Sequence, residues 1–368
     1  MGIEYRMHDW PALREAKISR PHGFTVIEEV EGVSAEEWKG GSEGKYAVLL
    51  MEKRGVDHFT AFRELSRIMK TRVMRLGIKD ANAITKQLIY VNASDFFKVD
   101  LGAVNQELGG SIVLTHLGFA DRKPKVTGNR FMVKISTPKT DELRERVRVL
   151  KEDPFLPAFI GYQRFGTRRP LTHLVGKALS NRAWCSALML ILGMPYSSET
   201  ESTKAFRKAV MNGLYEEAIR GCPSYLKQER TLLKSYVKSR DCLVSLKRSL
   251  IPLSFYVEAY QSYLFNRYLS SLLKEGKVRP GSYVTLPTYY GDCDPPCKRI
   301  YEEEGIERGS FNIPEIKVKL RKVTREAFMR IRDLSLIGED ILTFGLDRGM
   351  YASLILREVV GGDPRRFT

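Results

Sequence analysis

Two neighbouring residues, Lys79 and Asp80, have the types and the spacing to do chemistry. An ionised carboxylate serves as a nucleophile or as a general base, and a cation within reach favours that ionised form. Further along, Asn129 and Phe131 stand two residues apart. A carboxamide offers a donor and an acceptor, and an aromatic ring offers a flat plate; the pair suits the edge and face of an unstacked base. None of these residues is specific alone. Asp80 is one of 44 acidic residues, Gly128-Asn129 is an ordinary turn dipeptide, and a Phe on an alternating strand is usually core.

The elements that must position them are legible around Asp80. Phe59, Phe62, Leu65, Ile68, Met69, Val73 and Leu76 recur at three- and four-residue steps, which predicts a helix with one apolar face. Gly77 follows where a left-handed C-terminal cap is common. Ile84 to Val91 alternates as a strand. Lys79 and Asp80 therefore fall on a short helix-to-strand connection, a place that carries function more often than element interiors do. Strands are also expected within 20–30, over 45–53, over 111–117 and from Gly128, the last with Phe131, Val133 and Ile135 on one face. Thr140 is expected to cap a helix over 141–151, with Asp141 and Glu142 in its first turn.

From about 167 to 315 the texture changes to helices, including stretches around 203–220 and 223–240 and the long segment IPLSFYVEAYQSYLFNRYLSSLL. Phe255, Ala259, Tyr263, Leu264 and Tyr268 read there as a core stripe. Ile316 to Arg321 reads as a strand with one basic face, and Leu342 to Leu346 as a last strand before a helix ending near Glu358.

The 368 residues suffice for a full core and suggest two domains. No apolar run approaches the roughly 20 residues of a membrane span, and the N-terminus lacks a secretory apolar core, so a cytoplasmic protein is expected. Cys185, Cys222, Cys242, Cys293 and Cys297 are odd in number and scattered; they read as reduced thiols, with no zinc ligand set around Cys293 and Cys297. The net charge of +16 points to a polyanionic partner, nucleic acid first.

The run Gly77-x-Lys79-Asp80-x-x-Ala83-x-Thr85-x-Gln87 resembles the catalytic signature of the TruD family of tRNA pseudouridine synthases, in which the Asp is the catalytic carboxylate. Other landmarks follow in family order. Pro21, Phe24, Val26 and Glu28 fit a Pro-x-x-Phe-x-Val-x-Glu segment whose Phe lines the uridine pocket, although Ile18 stands where the family tends to place a Lys, with Lys17 and Arg20 beside it. Lys53-Arg54-Gly55 leading to Thr60 resembles the family's Lys-x-Gly turn, and Gly128-Asn129-Arg130-Phe131 its Gly-Asn-x-Phe signature. Pro157, Gly161, Gln163, Arg164, Phe165 and Gly166 match a further stretch, with Ala158 in place of Asn, and AYQSYLFN another. Phe344 to Glu358 resembles the C-terminal motif, with Ser353 for Thr, Asp347 for Pro, and Tyr351 as the pocket aromatic.

The resemblance implies an α+β pseudouridine synthase catalytic fold, a mixed and largely antiparallel sheet with flanking helices, interrupted by a mainly α inserted TRUD domain. The expected boundaries are 1–166 and 316–368 for the catalytic domain and 167–315 for the insertion. It implies an isomerase that turns uridine into pseudouridine, at uridine 13 of the tRNA D-arm, with Asp80 catalytic and Phe24, Lys79, Asn129, Phe131 and Tyr351 around the base. Arg122, Lys123, Lys125, Gln163, Arg164, Arg168 and Arg169 are the expected RNA ligands. No cofactor or metal is expected, because the isomerisation exchanges no electrons or groups with one. Two alternatives stay beside this reading. One is an RNA-binding protein of the same fold acting on other RNAs or without catalysis. The other is an RNA hydrolase, which would want paired carboxylates.

Overall fold

Alternation of side chains builds the central sheet. The computed structural model describes residues 1–77, 79, 82–166 and 169–363. Seven long strands carry the sheet: β1 Phe24–Val30, β2 Tyr46–Arg54, β3 Ile84–Asn92, β4 Ile112–Ala120, β5 Val126–Ser136, β6 Arg332–Ile337 and β7 Ile341–Asp347. Their order is β6-β7-β5-β1-β3-β2-β4, and three two-residue strands pair at its flanks. The pairings are antiparallel except that of β1 with β3, which is parallel.

Period two sends alternate residues to opposite faces, and both faces are covered. On one, Leu49, Met51, Ile89 and Val91 pack against Phe62 and Leu65 of α1 (His58–Ile68) and Val104 at the middle of α3 (Leu101–Glu107). On the other, Val48, Leu88 and Tyr90 pack with Val30, Trp38 and Val126. Between these helices lies the short α2 (Ala93–Phe96), and α4 (Thr140–Glu152) follows β5.

Two expectations about helix ends are corrected here. The helix before Lys79 ends at Ile68, not at Gly77: Met69 is its C-cap and Lys70 adopts a left-handed φ of 51°. Val73 is buried, but from a turn, and Met74–Arg75 forms a short strand against Tyr90 and Ile89. A core demand shared by helix and strand thus mimics one continuous helical stripe. Thr140 opens α4 rather than capping it; Lys139 holds the N-cap position without a side-chain bond.

By contacts the chain forms two compact units. Among the described residues, one holds Trp10–Leu156 and 329–363; the other holds Met1–Asp9 and Pro157–Phe328. The second unit is mainly helical: α5 Thr172–Ser180, α6 Trp184–Leu192, α7 Glu201–Met211, α8 Tyr215–Arg220, α9 Lys227–Ser239, α10 Cys242–Leu246, α11 Leu253–Lys274 and α12 Pro295–Glu304. The stretch around 203–220 is two helices, because Gly213 at φ 74° breaks it. Gly176 lets α5 lie against α11, since a Cβ there would stand 2.0 Å from the carbonyl oxygen of Tyr256. Asn266 of α11 is fully buried; its amide accepts from the Ile160 N–H at 2.7 Å and donates to the Ile160 carbonyl at 2.9 Å. The conspicuous polar residue of AYQSYLFN is therefore a clamp on the segment that leads to Gln163 and Arg164.

Two further expectations fail in this unit. The basic strand over 316–321 shrinks to Val318–Lys319, because Lys317 turns left-handed at φ 55°. Four of the five cysteines are bonded, Cys185 to Cys242 and Cys293 to Cys297, and Cys222 alone is a free, buried thiol. Sequence separation hid the first pair, which joins α6 to α10. Among the described residues no helix is long and apolar enough to cross a membrane.

Candidate active site

Register places the site. Glu28 pairs with Asn129 and Val26 with Phe131 between β1 and β5; Phe344 of β7 stands opposite Phe131 on its other side. Val26 also pairs with Thr85 of β3, and Thr85 with Lys53 of β2. Directly paired residues project to the same face. Phe24, Glu28, Asn129, Phe131, Phe344, Thr85 and Lys53 therefore share the face that carries α1, at the end where the apolar rows of Leu49 and Met51 give way to polar side chains.

A buried polar cluster occupies that end. The Lys79 ammonium donates to Asn129 Oδ1 at 2.6 Å and forms an ion pair with Glu28 Oε1 at 2.9 Å. The Lys79 side chain is 8% exposed and that of Glu28 is fully buried. Parallel pairing of β1 with β3 covers Thr25–Ile27, and beyond it Glu28 Oε2 accepts the Leu88 N–H at 3.1 Å in place of a ladder bond. Gly77 borders the cluster: a Cβ there would make ordinary contacts, 3.7 Å from Glu28 Oε1 and 3.9 Å from Lys79 Nζ.

Aromatic rings border the cluster. Phe131 stacks on Phe344, with centroids 5.1 Å apart and planes at 20°, and meets Phe24 edge-on at 6.3 Å. The Arg20 guanidinium sits 3.9 Å from the Phe24 ring centroid and donates to the Asn82 carbonyl at 3.0 Å. His58, the first residue of α1, is buried against Phe62 at 4.8 Å, and its Nδ1 accepts the Lys79 N–H at 3.4 Å. Burial, with the charges of Arg75 and Lys53 adding to it, lowers the His58 pKa to about 4. The imidazole is thus neutral near neutral pH and able to accept that bond. Lys53 is fully buried and donates to the Val56 carbonyl at 3.0 Å.

Of the residues singled out in the sequence, Phe24, Lys79, Asn129 and Phe131 come together here. Asp80 and Arg168 lie outside the described residues. Tyr351 is the half-buried N-cap of the C-terminal helix Ala352–Val359, directly after β7. Arg122, Lys123 and Lys125 lie exposed between β4 and β5; Arg122 is 87% exposed and 3.6 Å from Glu31. In the helical unit Gln163 is exposed, and Arg164 pairs with Glu258 at 2.6 Å and lies over Phe255. Arg169 is engaged as a helix cap: it donates to the carbonyls of Leu190, Ile191 and Gly193 at the end of α6. Burial, then the charge of Arg207, lowers its pKa to about 10.

Sequence reasoning passed over His58 and Phe344 as site residues, and named Arg20 only as one of two cations beside Ile18. Phe344 and the site-facing Glu28 were visible as motif positions, but nothing local to His58 signalled that it holds the backbone of Lys79.

A central, largely antiparallel sheet interrupted in sequence by a helical unit is the architecture of a pseudouridine synthase catalytic fold carrying an inserted domain. A solved structure from Methanosarcina mazei, described as a putative tRNA pseudouridine synthase D, superposes on it with a TM-score of 0.72 at 24% identity, covering 100% of this chain and 98% of that one. The family model described as tRNA pseudouridine synthase D (TruD) matches residues 1–288. A protein of Saccharolobus solfataricus named probable tRNA pseudouridine synthase D is 47% identical, over 100% of this chain and 98% of its own length. A protein of the same name from Sulfurisphaera tokodaii is 41% identical over the full length of both. The chain belongs to the TruD family of tRNA pseudouridine synthases.

Proposed function

We propose that this chain isomerises uridine to pseudouridine in tRNA, at uridine 13 of the D-arm, with Asp80 as the catalytic carboxylate. The reaction breaks the N1–C1′ bond, turns the uracil, and joins C5 to C1′; the proton leaving C5 is balanced by one gained at N1. Asp80 acts as the nucleophile at the sugar or as the base at C2′. The base leaves its stack and is held by aromatic faces, for which Phe131, Phe24 and Tyr351 are the candidates. Phe131 is suited to this because Phe344 backs its ring. Asn129 offers its amide to the uracil edge. The helical unit is the family's inserted domain, and Arg122, Lys123, Lys125, Gln163, Arg164 and Arg168 contact the phosphates.

The observation that carries the reading is the bond from Lys79 to Asn129. It ties the residue before Asp80 to the strand that bears Phe131. The same bond network changes the expected role of Lys79. Its charge is compensated by Glu28 at 2.9 Å, so Lys79 holds the segment in place. Arg20 and Lys53 are then the cations proposed to keep Asp80 ionised.

Asp80→Asn tests the assignment. The variant is expected to bind unmodified tRNA with near wild-type affinity and to form no pseudouridine in a single turnover, with circular dichroism checking the fold. Wild-type conversion by a folded Asp80→Asn protein would move the chemistry to another carboxylate. Tight tRNA binding without conversion by the wild type would favour a binding protein of the same fold.

A further inference from the structure

At the other end of the sheet from Phe131, an aromatic ring faces solvent. Phe97, just after α2, is 75% exposed. Its inner face stacks on Phe119 of β4, with centroids 5.5 Å apart and planes at 27°. Phe119 is braced in turn by His116 at 4.9 Å and Phe96 at 6.2 Å. The ring is therefore held rigid with one face free. β4 is the last strand of the sheet, and Phe119 bridges Gly41 and pairs with Ala47. From Thr85 to Asn92 along β3 the separation from the uridine site is roughly 24 Å, at about 3.4 Å per residue.

Exposed lysines lie in the segments around the ring. Lys98 follows Phe97 directly, and Lys39 stands two residues before Gly41, which bridges Phe119. The ammonium groups of Lys45 and Lys123 lie 5.6 Å from the Tyr46 ring centroid; Tyr46 pairs with Ala120 and so projects from the sheet face opposite Phe119. The Lys45 carbonyl accepts from Ala93, the first residue of α2. Arg122, beside Lys123, lies 3.6 Å from Glu31, and the acidic residues of these segments are Glu43, Asp95, Asp100 and Asp121. Asp95 is turned away toward the Thr71 hydroxyl at 2.9 Å. Among the described residues of these segments Phe97 is the one large apolar side chain that is strongly exposed. A protein partner would need a broader apolar core. One rigid ring bordered by lysines matches one nucleobase and its flanking phosphates.

We propose that Phe97, backed by Phe119, is a second RNA contact on which one unpaired base of the substrate stacks, remote from the isomerised uridine. This rests on RNA being the substrate, and it deepens that reading.

The test is filter binding of an unmodified tRNA transcript to the full chain at physiological salt, with single-turnover conversion at saturating protein. Phe97→Ala is expected to raise Kd about 5- to 150-fold, the range that corresponds to losing one stacked base. Conversion at saturation stays at the wild-type rate, and the salt dependence of binding keeps its slope because no charge is lost. Phe97→Trp restores Kd to within about twofold of wild type. A Kd unchanged by Phe97→Ala, or a Phe97→Trp variant as weak as Phe97→Ala, would overturn the proposal. So would a wild-type dimer in sedimentation that Phe97→Ala dissociates, which would make the ring a self-association contact. Failure of the catalytic reading looks different: wild type then forms no pseudouridine while the Phe97 effect on Kd persists.

Discussion

Glu28 and Lys79 show how one residue's chemistry depends on another that is remote in sequence. Each is buried, and each carries a charge that the other compensates at 2.9 Å. Removing one partner of such a pair leaves a charge in low dielectric, which costs about 3–5 kcal/mol, whereas replacing both with apolar groups is often neutral. Glu28→Gln is expected to lose stability by about that amount in urea denaturation. Glu28→Gln combined with Lys79→Met should recover most of it. Equal loss in single and double variants would mean that the pair is not the source. His58 makes a second forecast at this scale. Its folded pKa of about 4 lies below the ordinary imidazole value of 6.5. The unfolded chain therefore binds a proton that the folded chain does not. Stability from this group is complete above pH 6.5 and is lost as pH falls from there toward 4, by at most about 1.4 kcal/mol per pH unit. His173 is also buried and lowered to about 4 by burial, so it adds the same slope. His58→Gln should remove one of the two contributions, read as a shallower fall of Tm between pH 6.5 and 4. The identity of Asp80 as the residue to test was legible in the sequence because its neighbours form a spaced signature. The pairing of Lys79 with Glu28 was not, since it depends on how the chain entering β3 lies against β1, its parallel neighbour.

The strands that begin at Phe24, Tyr46, Ile84 and Ile112 were all legible, those at Tyr46 and Ile84 from the alternation of their residue types, although both faces of the sheet are covered and burial along Phe24–Val30 and Ile84–Asn92 is nearly continuous. Reading failed where one apolar pattern served two elements. Val73 belongs to the core that α1 covers, yet its backbone has already left the helix at Lys70. Reading failed too where helices meet at a distance, as in the bond between Cys185 and Cys242. Those residues are 57 apart, and only the packing of α6 against α10 brings them together. A crosslink closing a loop of that size restricts the unfolded chain by up to about 4 kcal/mol. In a background with Cys293 and Cys297 both replaced by Ser, Cys185→Ser should lower Tm of the oxidised protein, and reducing agent should lower Tm of the background protein to the level of the variant while leaving the variant unchanged. A background Tm insensitive to reductant would show that this pair contributes no stability.

At the scale of the whole molecule, charge is abundant but unevenly available. The chain carries 60 Lys and Arg, and many are engaged within the protein. Arg169 caps α6, and Arg207 is buried between Glu199 and carbonyls of the same helix. Arg122, Lys123 and Lys125, by contrast, lie exposed on one loop. Only cations that reach phosphate release counterions, so the salt dependence of RNA binding counts contacts rather than composition. Affinity for tRNA is expected to fall steeply between low and physiological salt. Lys123→Ala should reduce the slope of log K against log salt by about one, the signature of a lost phosphate contact. Arg169→Ala should leave the slope unchanged and instead destabilise the fold by about 2–3 kcal/mol, because carbonyls of α6 lose a charged donor. Filter binding at several salt concentrations, with thermal melting of the same preparations, separates the two. A slope change for Arg169→Ala at unchanged Tm would return that residue to the RNA ligands, and a slope untouched by Lys123→Ala would remove the loop from them.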